Sequence, residues 1–297
     1  MKQAVNRGFT LIELVIVIAI LGIVASGIVI AINPLGKLNS ANLAKVKTFS
    51  ASTENALIIS QIGKWSFEEV VNNETPDTSG YGNNGTVNGA TWQTKDQCGL
   101  GFGRCLSFDG NGDYVDLGVT NKFLHGAREL TISAWVKPNM IGRNSTIFTS
   151  NISFGSEYFA VTIFENNKIY SYISPDGGGG NTRMWQTKNS VIKKGIFQHI
   201  IIAWDGTDNP FKMYYNAEKQ EVEPSPWGSG PGTIANKPID QSDLEASGNQ
   251  WIGAYAPDRN YFDGLIDQVS IYKKALTAYQ IRELYAQGLA KHQLAME

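Results

Sequence analysis

Hydrophobic residues follow two different patterns along the chain, and the change comes near residue 60. From Leu14 to Ile32 no residue is charged, and this run is close to the roughly 20 apolar residues with which a helix crosses a bilayer. Pro34 then interrupts the helix, because its ring clashes with the preceding turn. Apolar residues afterwards recur at spacings of one helical face to about Ser60. This pattern predicts a membrane helix that continues as a helical stem.

The second pattern begins after Trp65 and is typical of β-strands. Short runs rich in β-branched and aromatic residues alternate with clusters of Gly, Asn, Asp and Pro. Strands at such regular spacing, without helices between them, favour a β-sandwich or jelly roll. The expected fold class is therefore mainly β, preceded by a long helix. The clearest predicted strands are residues 130–138, 158–164, 168–174, 197–204, 211–216 and 266–273.

Two local signals add detail to this β domain. In the sequence FDGNGDYV, the Asp-Gly and Asn-Gly pairs predict a tight turn before a strand that starts near Tyr114. Behind the last predicted strand, Leu276, Ile281 and Leu284 stand at helical spacing, and Thr277 is a plausible N-cap. We expect a short helix there, packed on the sandwich.

Composition and charge limit the possible functions. Hydrophobic residues make up 42% of the chain, which is enough for a sizeable core. The net charge is -2 and the basic residues are scattered, so the chain lacks the electrostatic footprint of a nucleic-acid-binding protein. Lys2 and Arg7 precede the apolar run without any acidic residue, which predicts that this end stays on the cytoplasmic side of the membrane.

Glu13 is the one charged residue between Arg7 and Lys37. A carboxylate on a helix inside a bilayer costs roughly 2.5 to 3.5 kcal/mol, and such groups usually lie opposite a partner. Glu13 therefore requires a cation.

The sequence RGFTLIEL, from Arg7 to Leu14, resembles the class III leader of type IV pilins and pseudopilins. The resemblance implies that a prepilin peptidase cleaves between Gly8 and Phe9 and methylates the new amino terminus. The new α-ammonium would lie one helical turn from Glu13, since residues four apart share a helix face. In pilins this carboxylate is thought to meet the terminus of a neighbouring subunit, which implies other pilin subunits as partners.

Two other interpretations of this segment remain open. A secretory signal peptide would need a shorter apolar core and a cleavage site, for which residues 24–26 are available. A plain single-span anchor would account for the apolar helix but not for Glu13.

Beyond Trp65 the chain resembles the laminin G-like, concanavalin A-like jelly rolls of secreted and surface proteins. The matching pieces, in order, are WSFEE, DTSGYGNNGT, LSFDGNGDYVDLG, TISAWVKP and FDGLIDQVSIYKKALTAYQIRELYAQG. With both resemblances, we predict four parts. They are a prepilin leader at residues 1–8, a hydrophobic helix and stem at 9–62, a jelly-roll head at 63–288 and a tail at 289–297.

Members of the jelly-roll family often hold a structural calcium ion, and calcium prefers several oxygen ligands. Glu68, Asp77 and Asp267 would be adjacent if the terminal strands of the head pair, as the resemblance implies. These three carboxylates are the candidate ligands of a structural Ca²⁺.

The chain has 2 cysteines, Cys98 and Cys105, too few for a zinc site. A local disulfide is expected if this region is extracellular, and two free buried thiols are the alternative.

Catalysis is not expected. The Glu-x-Asp-x-x-Glu arrangement of jelly-roll glycosidases is missing, and Asp263 and Asp267 would lie about 13 Å apart along a strand, too far for either glycosidase geometry. His199 falls inside a predicted strand and is expected to be a hydrogen-bonded core residue.

Two tryptophans are candidates for a ligand-binding rim. Trp185 and Trp227 stand in polar or Gly/Pro-rich surroundings, where an exposed aromatic ring can stack on a ligand. Packing of these loops against the core is the alternative.

The sequence as a whole predicts a type IV pilin-like subunit that assembles into a surface filament and displays its head for adhesion, by binding a glycan or a surface protein. The expected partners are the prepilin peptidase, other pilin subunits and the cytoplasmic membrane, with display on the cell surface after assembly. The alternatives are a monomeric membrane-anchored carbohydrate-binding protein and a pseudopilin of a type II secretion system.

Overall fold

The computed structural model describes residues 54–69, 71–98, 103–118, 127–153, 156–173, 183–206, 211–226, 249–255 and 259–293. Gly8, Phe9 and Glu13 therefore lie outside the described residues, as does the predicted membrane helix. Within these ranges, no helix has both the length and the apolarity to cross a membrane. Residues 54–60, where the predicted stem ends, are helical.

Strands dominate the described residues, and each of the six clearest predicted strands overlaps an observed one. In chain order the elements are β1 (Gln61–Trp65), β2 (Glu74–Thr75), β3 (Gly85–Asn88), β4 (Thr91–Gln93), α1 (Lys95–Cys98), β5 (Cys105–Asp109), β6 (Tyr114–Asp116), β7 (Leu130–Pro138), β8 (Ser145–Ser153), β9 (Ser156–Ile163), β10 (Ile169–Ile173), β11 (Arg183–Thr187), β12 (Gln198–Trp204), β13 (Lys212–Tyr215), β14 (Glu218–Lys219), β15 (Val222–Pro224), β16 (Gln250–Ile252), β17 (Asp263–Tyr272) and α2 (Ala278–Gln293).

The strands form two sheets. Sheet A has the order β14, β13, β12, β7, β17, β5 and β4, with β1 also paired to β17. Sheet B has the order β15, β11, β10, β9, β8, β16, β6, β3 and β2. Neighbouring strands are antiparallel in both sheets, and buried apolar residues of both sheets form one core. This is the predicted β-sandwich.

Strand β17, the last strand of the head, pairs with three other strands of sheet A. It pairs with β7 along one side, while on the other side Asp263–Ile266 pair with β5 and Val269–Tyr272 pair with β1. The register shifts between Asp267 and Ser270, where the strand carries a bulge. The first strand after the stem thus lies against the last strand of the head.

Alternation of side chains explains why β7 is buried on both of its faces. Leu130, Ile132, Ala134 and Val136 belong to the core between the sheets. Trp135 points the other way and belongs to a separate cluster, against which residues of α2 pack. Since successive side chains of a strand alternate between faces, sheet A has a second, outer face that α2 covers.

Helix α2 begins as the sequence predicts. The Gln280 N–H donates to Thr277 Oγ1 at 3.3 Å, and the Thr277 N–H donates to Gln280 Oε1 at 2.9 Å, which is a reciprocal capping arrangement. The helix is longer than expected, because it continues to Gln293, into the segment that was predicted as a tail.

Candidate functional site

Helix α2 lies on the outer face of sheet A over two apolar clusters. The first cluster gathers near the start of α2 and consists of Leu57, Ile201, Tyr214, Tyr272, Leu276 and Ile281. The second consists of Cys98, Cys105, Trp135 and Leu265, with Tyr285 and Leu289 of α2 packed against it. The helical residues 54–60 reach this face as well, through Leu57.

A cavity of about 260 Å³ borders both clusters, and we call it the α2 cavity. Its lining combines side chains of the helical segment 54–60, β1, β7, β12, β17 and α2. Ser133, His199 and Ser270 contribute from sheet A, whereas Leu284 and Gln287 contribute from α2. The cavity therefore exists only because the sheet, the end of the stem and the last helix meet.

His199 is anchored in the wall of this cavity. Its Nε2 lies 2.7 Å from Ser133 Oγ, and its ring stacks on Trp135 with centroids 4.8 Å apart. The ring of Tyr285 stacks in turn on Trp135 at 5.5 Å. His199 is 2% exposed, so the structure supports the prediction that it is a hydrogen-bonded core residue.

An uncharged hydrogen-bonded group forms another part of the wall. Gln61 Nε2 donates to Ser270 Oγ at 3.2 Å and to Tyr272 Oη at 3.0 Å. Burial raises the pKa of Tyr272 to about 12, although hydrogen bonds with Ser270 and Gln61 oppose the effect. The phenol is therefore neutral at physiological pH, and this part of the wall offers amide and hydroxyl groups without charge.

Charged groups lie nearer the entrance of the cavity. Glu54 and Lys64 both line it, and both are exposed. On α2, burial raises the pKa of the Glu283 carboxyl and the charge of Glu54 adds to this rise, while a hydrogen bond with Tyr279 opposes it. The end of the stem and α2 therefore carry like charges that interact.

We expect Glu283→Gln to remove part of the pH dependence of stability. The usual pKa of this group is 4.5, and the folded chain raises it. An acid with a raised pKa binds its proton more tightly in the folded state, so the free energy of unfolding falls as pH rises from 4.5 through the folded pKa. Urea unfolding of the full-length chain at a series of pH values should show a smaller decline in the variant. Glu69→Gln, at an exposed carboxylate outside α2, is the control, and an unchanged decline in Glu283→Gln would contradict the prediction.

The candidate calcium ligands do not come together. Asp77 accepts hydrogen bonds from the backbone N–H groups of Lys64, Ser79 and Asn83, at 2.9, 2.9 and 3.0 Å. Both of its carboxylate oxygens are thus used to hold a loop against β1.

The other two carboxylates have separate structural roles. Glu68 accepts from the Arg104 N–H at 3.0 Å. Asp267 is fully buried and accepts from the Gln268 N–H at 2.7 Å, at the bulge of β17 where Gln268 has a φ of 49°. Across the described ranges, no three Asp, Glu, His or Cys side chains form a group that could hold a metal ion. Glu68, Asp77 and Asp267 therefore do not fit a shared calcium ion.

The two cysteines are joined. Cys98 at the end of α1 and Cys105 at the start of β5 form a disulfide, with Cα atoms 5.8 Å apart. Both residues are fully buried beneath α2 in the second apolar cluster. The bridge thereby fixes part of the surface on which α2 lies.

Trp185 does not lie in a loop. Trp185 lies within β11, where it pairs with Ser171 and Pro224, and it packs against the core between the sheets. The residue is half-buried by this packing, which agrees with the alternative that it packs against the core, and a ligand rim at Trp185 stays a prediction. Trp227 lies outside the described residues and remains a prediction.

The α2 cavity itself was not predicted. One sequence signal for it is Gly288, since a glycine inside a helical pattern often marks a close approach of another group. A Cβ at Gly288 would lie 2.6 Å from Trp135 Nε1, so the absence of a side chain lets α2 cross directly over the indole. The other walls come from segments that are far apart in sequence, so no local pattern groups them.

Comparisons with known proteins agree with both predicted resemblances. Residues 109–282 match the model described as the concanavalin A-like lectin/glucanases superfamily, and residues 4–29 match the prokaryotic N-terminal methylation motif. No curated protein matches the chain.

Several solved binding domains share the fold. The botulinum neurotoxin serotype D ligand binding domain, in complex with N-acetylneuraminic acid, is 15% identical with a TM-score of 0.52, and the match covers 79% of this chain and 52% of that chain. The receptor binding domain of the botulinum neurotoxin C/D mosaic serotype is 16% identical with a TM-score of 0.52, covering 78% and 52%. The binding domain of Paraclostridial Mosquitocidal Protein 1 is 16% identical with a TM-score of 0.52, covering 77% and 52%. The chain spans about half the length of these structures, and at such identity the likeness is one of fold.

The N-terminal motif is a methylation motif, and the paired-carboxylate pattern of jelly-roll glycosidases is missing from the sequence. Because the family model matches more than half of the chain, the protein belongs to the concanavalin A-like lectin/glucanases superfamily.

Proposed function

We propose that the protein is a type IV pilin-like subunit that displays a carbohydrate-binding head on a filament. The observation that carries the proposal is the combination, in one chain, of an N-terminal methylation motif at residues 4–29 and a lectin-like sandwich. The helical residues 54–60 lead without a break into β1 of that sandwich, which supports a head mounted directly on a helical stem.

The charge arrangement supports assembly of such subunits. Cleavage between Gly8 and Phe9 would create an α-ammonium, and Glu13 stands four residues further on, a spacing that places two groups on one face if the segment is helical. A buried charge without a partner is strongly destabilising, so stacking of subunits that pairs the two groups is favoured over other registers. The processed chain would be stored in the cytoplasmic membrane and displayed at the cell surface after assembly.

A glycan is the proposed ligand class. The family includes lectins, and one solved neighbour is a ligand binding domain in complex with N-acetylneuraminic acid. The described head contributes hydroxyl, amide and aromatic groups to its α2 cavity, which is a chemistry suited to sugars.

The test of the processing step is the intact mass and the N-terminal residue of the protein recovered from its native cells. We expect a chain that starts at N-methylated Phe9, since the motif places the cleavage after Gly8. A chain that starts at Met1 would contradict the proposal and leave a monomeric, membrane-anchored carbohydrate-binding protein.

A further inference from the structure

The wall of the α2 cavity is rich in groups that both donate and accept hydrogen bonds. Gln61, Gln268 and Gln287 provide amides, while Ser66, Ser133 and Ser270 provide hydroxyls. A sugar hydroxyl also donates and accepts, so amide and hydroxyl partners can satisfy it in either role. The wall thus matches a polyhydroxylated ligand better than a purely apolar one.

The charged side chains at the cavity do not favour a charged ligand. Glu54 and Lys64 contribute one negative and one positive side chain to the lining, and both are exposed to solvent. Their fields oppose each other at the entrance and are screened by water. An uncharged ligand is therefore favoured over an anionic or a cationic one.

The volume of the α2 cavity limits the size of the ligand. Pockets for drug-sized ligands usually measure about 300 to 1,000 Å³, and the α2 cavity measures about 260 Å³. This volume suits one hexose-sized ring and excludes an enclosed oligosaccharide. Leu57 and Leu284 add an apolar side to the lining, against which the C–H face of a sugar ring can pack.

We infer that the α2 cavity binds a single neutral monosaccharide, or one terminal residue of a neutral glycan. The inference rests on the proposed carbohydrate-binding function and assigns that function to the junction of stem, sheet A and α2. Bound there, the sugar would contact Gln61 of β1 and Gln287 of α2 together, and so would bridge the first strand and the last helix of the head.

Saturation-transfer NMR on the full-length chain, kept in a detergent without a sugar headgroup, tests this inference. The probes are glucose, galactose, mannose and N-acetylglucosamine, with N-acetylneuraminic acid as the charged comparison. We expect one or more neutral sugars to bind, and Gln287→Trp, which places an indole at the entrance, to weaken that binding by at least about tenfold. Ser66→Phe, on the β1 side of the lining, should have the same effect.

Arg282→Trp is the matched control, because Arg282 is an exposed residue of α2 outside the cavity lining. Neutral-sugar binding that survives both cavity variants would overturn the inference, while leaving the proposed carbohydrate-binding function intact. Preference for N-acetylneuraminic acid over every neutral sugar would also overturn it. If neither these probes nor an array of immobilised glycans binds the wild-type chain, the carbohydrate-binding part of the proposed function fails as well.

Discussion

Glu13→Ala is expected to abolish filaments while leaving the processed chain in the membrane. Removing one partner of a buried ion pair leaves the other charge uncompensated, which costs about 3 to 5 kcal/mol. In the proposed assembly that partner is the methylated amino group of Phe9 on a neighbouring subunit. A loss of this size at each subunit contact would prevent a polymer from growing. Electron microscopy and quantification of the sheared surface fraction measure the outcome.

The matched control is Glu54→Ala, which removes a carboxylate from the same stem near the head. Glu54 is exposed and lies beyond the apolar run, so its removal should leave filament numbers unchanged. Normal filaments from the Glu13→Ala chain would show that this carboxylate has no role in assembly. Absence of filaments from the wild-type chain would instead favour the monomeric anchor.

Trp65→Ala is expected to lower the free energy of unfolding of the head by about 3 to 5 kcal/mol, the usual range for truncating a large buried aromatic residue. Trp65 is fully buried in the core between the sheets, and its Nε1–H donates to the Asn83 carbonyl at 2.9 Å. Truncation would leave a cavity in the core and remove a hydrogen bond that joins β1 to the loop beside it. Urea unfolding of the full-length chain, followed by circular dichroism, measures the change.

Trp92→Ala provides the comparison, because Trp92 is the same residue type but only partly buried at the edge strand β4. We expect a clearly smaller loss for this variant. Equal losses for the two variants would show that β1 does not contribute more to the core than an edge strand does.

Local sequence patterns predicted those strands whose hydrophobic residues and bordering turns are contiguous in the chain. The run from Leu130 to Pro138 matches β7 residue for residue, because its hydrophobic residues and bordering turns are contiguous. The predicted boundary between stem and head, in contrast, falls inside strand β1. In β1, Gln61 pairs with Tyr272 and Trp65 pairs with Val269. Partners so far apart in sequence cannot be recognised from the pattern of neighbouring residues.

The site was harder to predict than the fold, for the same reason. The walls of the α2 cavity come from residues between Glu54 and Gly288, and only the folded topology brings them together. Trp185 was misplaced because a glycine run before it resembles a loop, whereas pairing with β10 makes the segment a strand. Asp77 and Asp267 were predicted as calcium ligands, whereas in the fold both accept hydrogen bonds from backbone N–H groups.

The loop of residues 77–84 has a mechanical consequence for a head carried on a stem. Strand β1 is hydrogen-bonded to β17 along one edge, while on the other edge the Lys64 carbonyl accepts from the Thr78 N–H and the Ile62 carbonyl accepts from Asn83 Nδ2. A pull along β1 from the stem would load both rows of bonds in shear at once. Bonds loaded in parallel share the force, whereas the bonds of an end-opened hairpin break one after another. The joint between the helical residues 54–60 and the head is therefore built to resist tension.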